Sequence, residues 1–209
     1  MFILALWIKN STMPYTNEML QEAFRLFDEA NSLDPNKETV NGKVYAKEVL
    51  YALRMSETLN KFEPAASEAL KLTARCQHIC RWEIPRESYE MNRSGYLRWR
   101  QELKKYHAQK AKDILVKVGY DQEVIAKVEF LLLKKQLKKS AETQTLEDVI
   151  CLVFLEHYLE GFIKKHDDEK IIEILRKTWH KMSDKGRKEA LKLSYSKKCE
   201  MLVTEAVST

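Results

Sequence analysis

An all-α fold, a single compact bundle of about seven or eight helices, is what this sequence predicts, and three observations carry the prediction. Only five Gly and four Pro interrupt 209 residues, too few for the turn density of a β fold. Leu, Ala, Lys and Glu, all strong helix formers, dominate the chain. Apolar residues recur at three- and four-residue spacing, the period of a half-buried helix. The 44% hydrophobic and 32% charged content is that of a folded domain long enough to bury a real core.

The elements follow in order. A first helix is expected from Thr16 to about Asn31, where Leu20, Ala23, Phe24 and Phe27 share a face; Leu33-Asp34-Pro35-Asn36 then turns the chain. A loop through Gly42 leads to a second helix, about Tyr45 to Asn60. Pro64 fits the first turn of a third, which extends to about Trp82. A structured loop, Glu83 to Asn92, precedes a long basic helix from Ser94 to Val118, stopped by Gly119. The fifth covers about Gln122 to Leu137. Thr145-Leu-Glu-Asp148 resembles a capping box and opens a sixth helix whose body, Val149 to Leu155, is apolar all round and therefore central. Asp167 or Asp168 starts a seventh helix to about Lys181, and Ser183 or Asp184 starts the last. Residues 13–209 read as one helical domain, without repeat or linker.

Residues 1–12 read as a loose tail, and Met13 is as good a start as Met1. The opening apolar stretch lacks a preceding charge and a small-residue cleavage site, and it is far too short to span a membrane. The expectation is a cytoplasmic protein without membrane attachment. Cys76, Cys80, Cys151 and Cys199 then read as reduced thiols, with no second close pair to complete a zinc site.

The net charge of +5 is concentrated: residues 75–139 hold sixteen Lys/Arg against eight Asp/Glu, an excess of eight, and the remainder carries −3. That favours an anionic partner, although nucleic acid calls for a sharper stripe. Within this stretch Arg75, Gln77, His78, Arg81 and Trp82 continue an apolar helical run, followed by Arg86, Arg93, Tyr96, Trp99 and Arg100, with His107 further along. Burying such groups is unfavourable unless each is paired. Guanidinium groups that grip phosphate in two-pronged fashion, beside aromatic rings that stack, suit a planar or phosphorylated ligand. The bland reading is an internal network with Glu48, Glu68, Glu147, Asp148 and Glu156 that fixes the loop at 83–92. For Asp148 it is capping of a helix start.

Arg75-Cys-Gln-His-Ile-Cys-Arg-Trp82, Ile84-Pro-Arg86, Gly95-Tyr-Leu-Arg-Trp-Arg100, His107-Ala108 and Leu146-Glu-Asp-Val-Ile-Cys-Leu-Val-Phe-Leu155 resemble the family called domain of unknown function 4202. Leu50 to Met55, Asn31 to Pro35 and Thr178 to Ser183 extend the likeness over about residues 20–192. The sequence departs from the family pattern at Lys47, where a proline is frequent, and near Ser140, where an Asp is common. The resemblance implies no assigned activity.

At fold level the arrangement is similar to the helical, HD-domain-like metal-dependent phosphohydrolases named for an adjacent His-Asp pair. By that analogy Gln77-His78 takes the place of the pair and Asp148 that of a final carboxylate. A divalent metal on His78 and Asp148, with Glu48 or Glu68, would then activate water at phosphorus. The His-Asp dipeptide itself is missing, and Gln77 is a poor metal ligand.

Three functions compete. The first is a pocket protein that binds, and in one form hydrolyses, a nucleotide or other phosphorylated small molecule, with His78 and Asp148 as catalytic candidates. The second is a non-catalytic structural or interaction protein. The third is an RNA-binding module using the basic helix with Trp82, Tyr96 and Trp99 as stacking platforms.

Overall fold

Short polar side chains start most of the helices. A computed structural model describes residues 17–208, so the expected tail at 1–12 lies outside them. In order the chain forms α1 (Asn17–Ser32), a hairpin of β1 (Lys37–Val40) and β2 (Lys43–Ala46), α2 (Lys47–Phe62), α3 (Glu68–Cys76) and α4 (Arg93–Val118). Then come α5 (Gln122–Leu132), α6 (Ala141–Val153), α7 (Leu159–Ile163), α8 (Asp168–Lys181), α9 (Asp184–Ala190) and α10 (Lys197–Val207). Ser67, Asn92, Asp121, Ser140, Asp167, Ser183 and Ser196 each accept a hydrogen bond from the amide three residues on, capping α3, α4, α5, α6, α8, α9 and α10. The all-α class holds, with more and shorter helices than the apolar pattern suggested.

The differences have local causes. Ser67, not Pro64, caps the third helix, which stops at Cys76 rather than near Trp82 because Cys80 turns left-handed at φ 52°. Ser140 caps α6, so Thr145 sits inside the helix rather than at its start. The fifth helix stops at Leu132, because Lys134, Gln136 and Lys138 all take positive φ. The loop at Gly42 is a β-hairpin: Asn41 (φ 50°) and Gly42 (φ 77°) supply the two left-handed positions of a tight turn, an Asn-Gly signal present in the sequence.

Two apolar cores result. One gathers Met55 and Leu59 of α2 with Leu146, Val149, Leu152 and Val153 of α6 and Ile171 and Leu175 of α8. The other joins Phe27 of α1, Leu72 and Cys76 of α3, Ala111 and Leu115 of α4, and Ile125 and Val128 of α5. All four cysteines are free and buried, as small apolar residues are. Among the described residues no helix is long and apolar enough to cross a membrane.

Candidate functional site

A cavity of about 380 Å³ opens beside the first core, whose Tyr51, Ile150, Cys151, Phe154 and Tyr158 line it. Residues of α2, the turn after α3, α4, the α5–α6 connector, α6 and its continuation, and α8 all reach it. Five cations (Lys47, Arg81, Arg100, Lys134 and Lys181) and two carboxylates (Glu48 and Glu147) line it, a formal excess of three positive charges. Tyr51, Tyr96, Phe154 and Tyr158 supply ring surface. Pockets of this size with a few converging polar groups are characteristic of small-molecule sites.

The local chain path explains how distant residues meet. Asp34 is buried in the turn after α1, and its carboxylate accepts from the amides of Asn36 (2.8 Å) and Glu48 (3.2 Å). That fixes the start of α2, and with it Lys47 and Glu48. After α3 the chain reverses at left-handed Cys80, whose amide donates to the buried Asn31 side chain at 2.9 Å. His107 clamps the same bend: its Nδ1 is 2.7 Å from the carbonyl oxygen of Ile79, which can only accept, so Nδ1 carries the proton. The bend presents both His78 and Arg81 to the cavity. Lys134 enters from the connector, and the π-helical turn Phe154–Tyr158 places both its end residues in the lining. Such irregular turns in helices concentrate at functional sites.

At one side His78 lies flat on Tyr51, ring centroids 4.0 Å apart and planes at 13°. Its Nε2 is 2.8 Å from an Arg81 guanidinium nitrogen, and its Nδ1 is 3.4 Å from Glu48 Oε2. Burial, then the Arg81 charge, holds the imidazole pKa well below its ordinary value, so the ring is neutral. Burial pushes the Glu48 carboxyl up, against the pull of Arg81 and Lys47. The Arg81 guanidinium also lies over the Trp99 ring, 4.8 Å from its centroid.

At the other side Lys134, its side chain 11% exposed, donates to Glu147 Oε2 at 2.5 Å, and Lys181 lies 3.9 Å from Oε1 of the same carboxylate. Burial lowers the Lys134 pKa, and Glu147 opposes that shift. Burial tends to raise Glu147, but Lys134 and Lys181 outweigh it and its carboxyl ends below the ordinary range. Lys47, Arg81 and Arg100 make no ion pair among the described residues; Arg100 reaches only the Tyr96 hydroxyl, at 3.4 Å.

Of the residues singled out from the sequence for a ligand or metal, Glu48, His78, Arg81, Tyr96 and Arg100 line this cavity, joined by Glu147 from the alternative internal network. The other ligand candidates lie elsewhere. Arg75 forms a two-pronged pair with Asp28 beneath Phe24. Gln77 accepts from the Tyr51 hydroxyl at 3.1 Å, one layer behind the lining. Trp82 packs against the second core. Arg86 binds the carbonyls of Tyr89, Glu90 and Asn92 and so braces the loop. Arg93 is exposed at the start of α4. Trp99 is buried with its indole N–H on Ile84 O, and His107 is the clamp already described.

The metal set expected from the sequence is not assembled. His78 and Glu48 adjoin, but Glu68 accepts from the Tyr120 hydroxyl. Asp148 accepts from the Ser183 amide (2.7 Å), the Ser183 hydroxyl (2.5 Å) and Gln144 (3.2 Å). It therefore ties α6 to the start of α9, and its neighbour Glu147 faces the cavity instead. Among the described residues no three His, Cys, Asp or Glu side chains converge as metal ligands do.

A family model described as Domain of unknown function (DUF4202) matches residues 21–203. The chain belongs to that family. The DUF4202 match takes in every cavity-lining residue, from Lys47 to Lys181. No curated protein and no solved structure matches the chain, so the likeness to metal-dependent phosphohydrolases has no further support.

Sequence reasoning missed Lys47, Tyr51, Lys134, Tyr158 and Lys181 as lining residues of this DUF4202 pocket. Lys134 gave no signal, because its direction depends on the left-handed connector. Tyr51 and Lys47 had one: they flank Glu48 on the first turn of a helix, within one or one-plus turns of each other.

Proposed function

We propose that the protein binds a phosphorylated small molecule, a nucleotide or similarly charged metabolite, in the cavity beside its first core. One observation carries the reading: Lys47, Arg81 and Arg100 converge on a semi-enclosed cavity without ion-pair partners, beside two lysines that share a single carboxylate. Like charges crowded into a low-dielectric cleft repel one another unless an anion neutralises them. Arg81 is oriented for such a ligand by Trp99 beneath it and by His78 at its edge. A guanidinium held in plane offers phosphate two parallel donors. Tyr96, Phe154 and Tyr158 provide the apolar and stacking surface for the remainder of the ligand.

A hydrolytic role is favoured by one further feature. Neutral His78 has its Nδ1 toward Glu48 and its Nε2 lone pair on the cavity-lining Arg81, so that release of the guanidinium would leave a carboxylate-supported general base. Arg81 occupies that lone pair until a ligand draws the guanidinium away. Asp148 has no part in this scheme, since its oxygens cap α9.

The RNA reading loses one stacking platform, because Trp99 is buried; the purely structural reading accounts for Arg81 through His78 and Trp99 but leaves Lys47 and Arg100 beside it unexplained. A thermal-denaturation screen of nucleoside mono-, di- and triphosphates and sugar phosphates separates the readings. Binding in the cavity predicts stabilisation by at least one compound, lost in both Arg81→Ala and Arg100→Ala. Stabilisation that survives in both variants would refute this pocket.

A further inference from the structure

The cavity's cations fall into two groups. Arg81 and His78 adjoin Glu48, whose chain neighbour is Lys47, while Lys134 and Lys181 hold Glu147. Arg100 lines the same cavity without an ion-pair partner among the described residues, reaching the Tyr96 hydroxyl, and is available to a ligand at either group. Each group holds one carboxylate and a surplus of cationic charge.

One phosphoryl group does not balance this cavity. A phosphate monoester carries about −1.5 to −2 near neutral pH, whereas the lining has a formal excess of three positive charges. A single phosphate seated at Arg81 would also leave Lys181 and Lys134 competing for Glu147. We propose, resting on the anion-pocket reading above, that the ligand carries two phosphoryl groups, one at Arg81–Lys47 and one at Lys181–Lys134, with Arg100 contacting both. The two groups belong either to a linked diphosphate or to the two ends of a small bisphosphorylated metabolite. The shared chemistry is two phosphate dianions held by two separate sets of donors. Glu48 remains as an acceptor for a hydroxyl or amine group of the portion in between.

Calorimetric titration of the full chain with orthophosphate, pyrophosphate and fructose 1,6-bisphosphate tests this. The inference predicts that at least one two-phosphate probe binds ten or more times tighter than orthophosphate. Preference for pyrophosphate assigns the linked source, and preference for the bisphosphate assigns the separated one. Lys181 and Arg81 stand in different groups, and Lys181 is 44% exposed, so Lys181→Met is expected to fold. Lys181→Met and Arg81→Gln should each cut two-phosphate affinity at least tenfold and reduce its advantage over orthophosphate below threefold. Equal affinities for all three probes in the wild type, or a two-phosphate affinity untouched by Lys181→Met, would overturn the two-site arrangement while leaving a single-phosphate pocket standing. No heat from any probe would overturn the anion-pocket reading itself.

Discussion

Arg81 donates a guanidinium N–H to Nε2 of His78 across 2.8 Å. Arginine has no acceptor, so Nε2 is unprotonated and the His78 proton sits on Nδ1, directed at Glu48. One hydrogen bond thus fixes a tautomer and holds the guanidinium at the cavity, and the Arg81 charge adds to burial in keeping the ring neutral. Nitrogen-15 NMR of the imidazole should report the Nδ1–H tautomer at pH 7. In Arg81→Ala the His78 pKa should rise toward its ordinary value, because burial then acts without the adjacent cation. An unchanged titration in that variant would show that Arg81 does not set the state of the ring.

His107 gives a pH dependence of defined sign. Burial, and then the neighbouring His78, depress its pKa to about 3 in the folded chain, whereas the unfolded value is about 6.5. Below pH 6.5 the unfolded chain therefore binds a proton that the folded chain refuses. Stability from this group is complete above pH 6.5 and is lost progressively as pH falls toward 3. The loss is about 1.4 kcal/mol per pH unit once the unfolded form is fully protonated. Urea unfolding at pH 7, 5.5 and 4.5 should show a shallower acid loss in His107→Gln than in the wild type. Parallel slopes would place His107 outside the buried, neutral state.

Asp148 accepts from Ser183 and Gln144 and lies outside the cavity lining. Replacing it with Ala strands the Ser183 amide and hydroxyl in a half-buried site, and each lost bond to a charged acceptor is worth roughly 1.5–3 kcal/mol. A destabilisation of about 3 kcal/mol is expected, with ligand affinity of the folded protein within about twofold of wild type. Gly186→Ala should act through the same contact, since a Cβ there would come within 2.6 Å of Asp148 Oδ1. Denaturant melts and a binding titration on both variants check the pair of outcomes.

Glu147→Gln should move stability and affinity in opposite directions. Lys134 would lose the partner of a buried ion pair, at a cost of roughly 3–5 kcal/mol. The cavity would meanwhile gain one unit of positive charge, so a phosphorylated ligand should bind several-fold tighter. A variant that weakens ligand and fold together would mean that Glu147 contacts the ligand directly.

Much of this was legible before the structure. The starts of α4 and α5, behind Asn92 and Asp121, and the end of α4 at Gly119 (φ 98°) fall where the sequence places them, whereas Ser67 and Ser140, the caps of α3 and α6, were passed over for Pro64 and Thr145. His78 and Arg81 were found because polar groups continuing an apolar run must meet partners or a cavity, and Arg100 because it stands among aromatic residues on the basic helix. The sequence could not separate Arg81 from Arg75, which lie on one stretch but face a cavity and Asp28 respectively. Nor could it separate Glu147 from Asp148. One step along a helix turns a side chain by about 100°, enough to send one carboxylate to the cavity and the next to α9. Lys134 was hidden for a different reason: left-handed backbone at Lys134, Gln136 and Lys138 has no signature in residues that ordinarily avoid it.

The central claim is that Arg81 holds a phosphoryl group inside the cavity. Calorimetric titration of the most stabilising phosphorylated compound into wild type and Arg81→Ala, at matched pH and salt, tests it directly. Kd is expected to rise at least tenfold in the variant while a denaturant melt shows the free protein still folded. Equal Kd values in two folded proteins would contradict it and move the anion, if one binds, to another part of the surface.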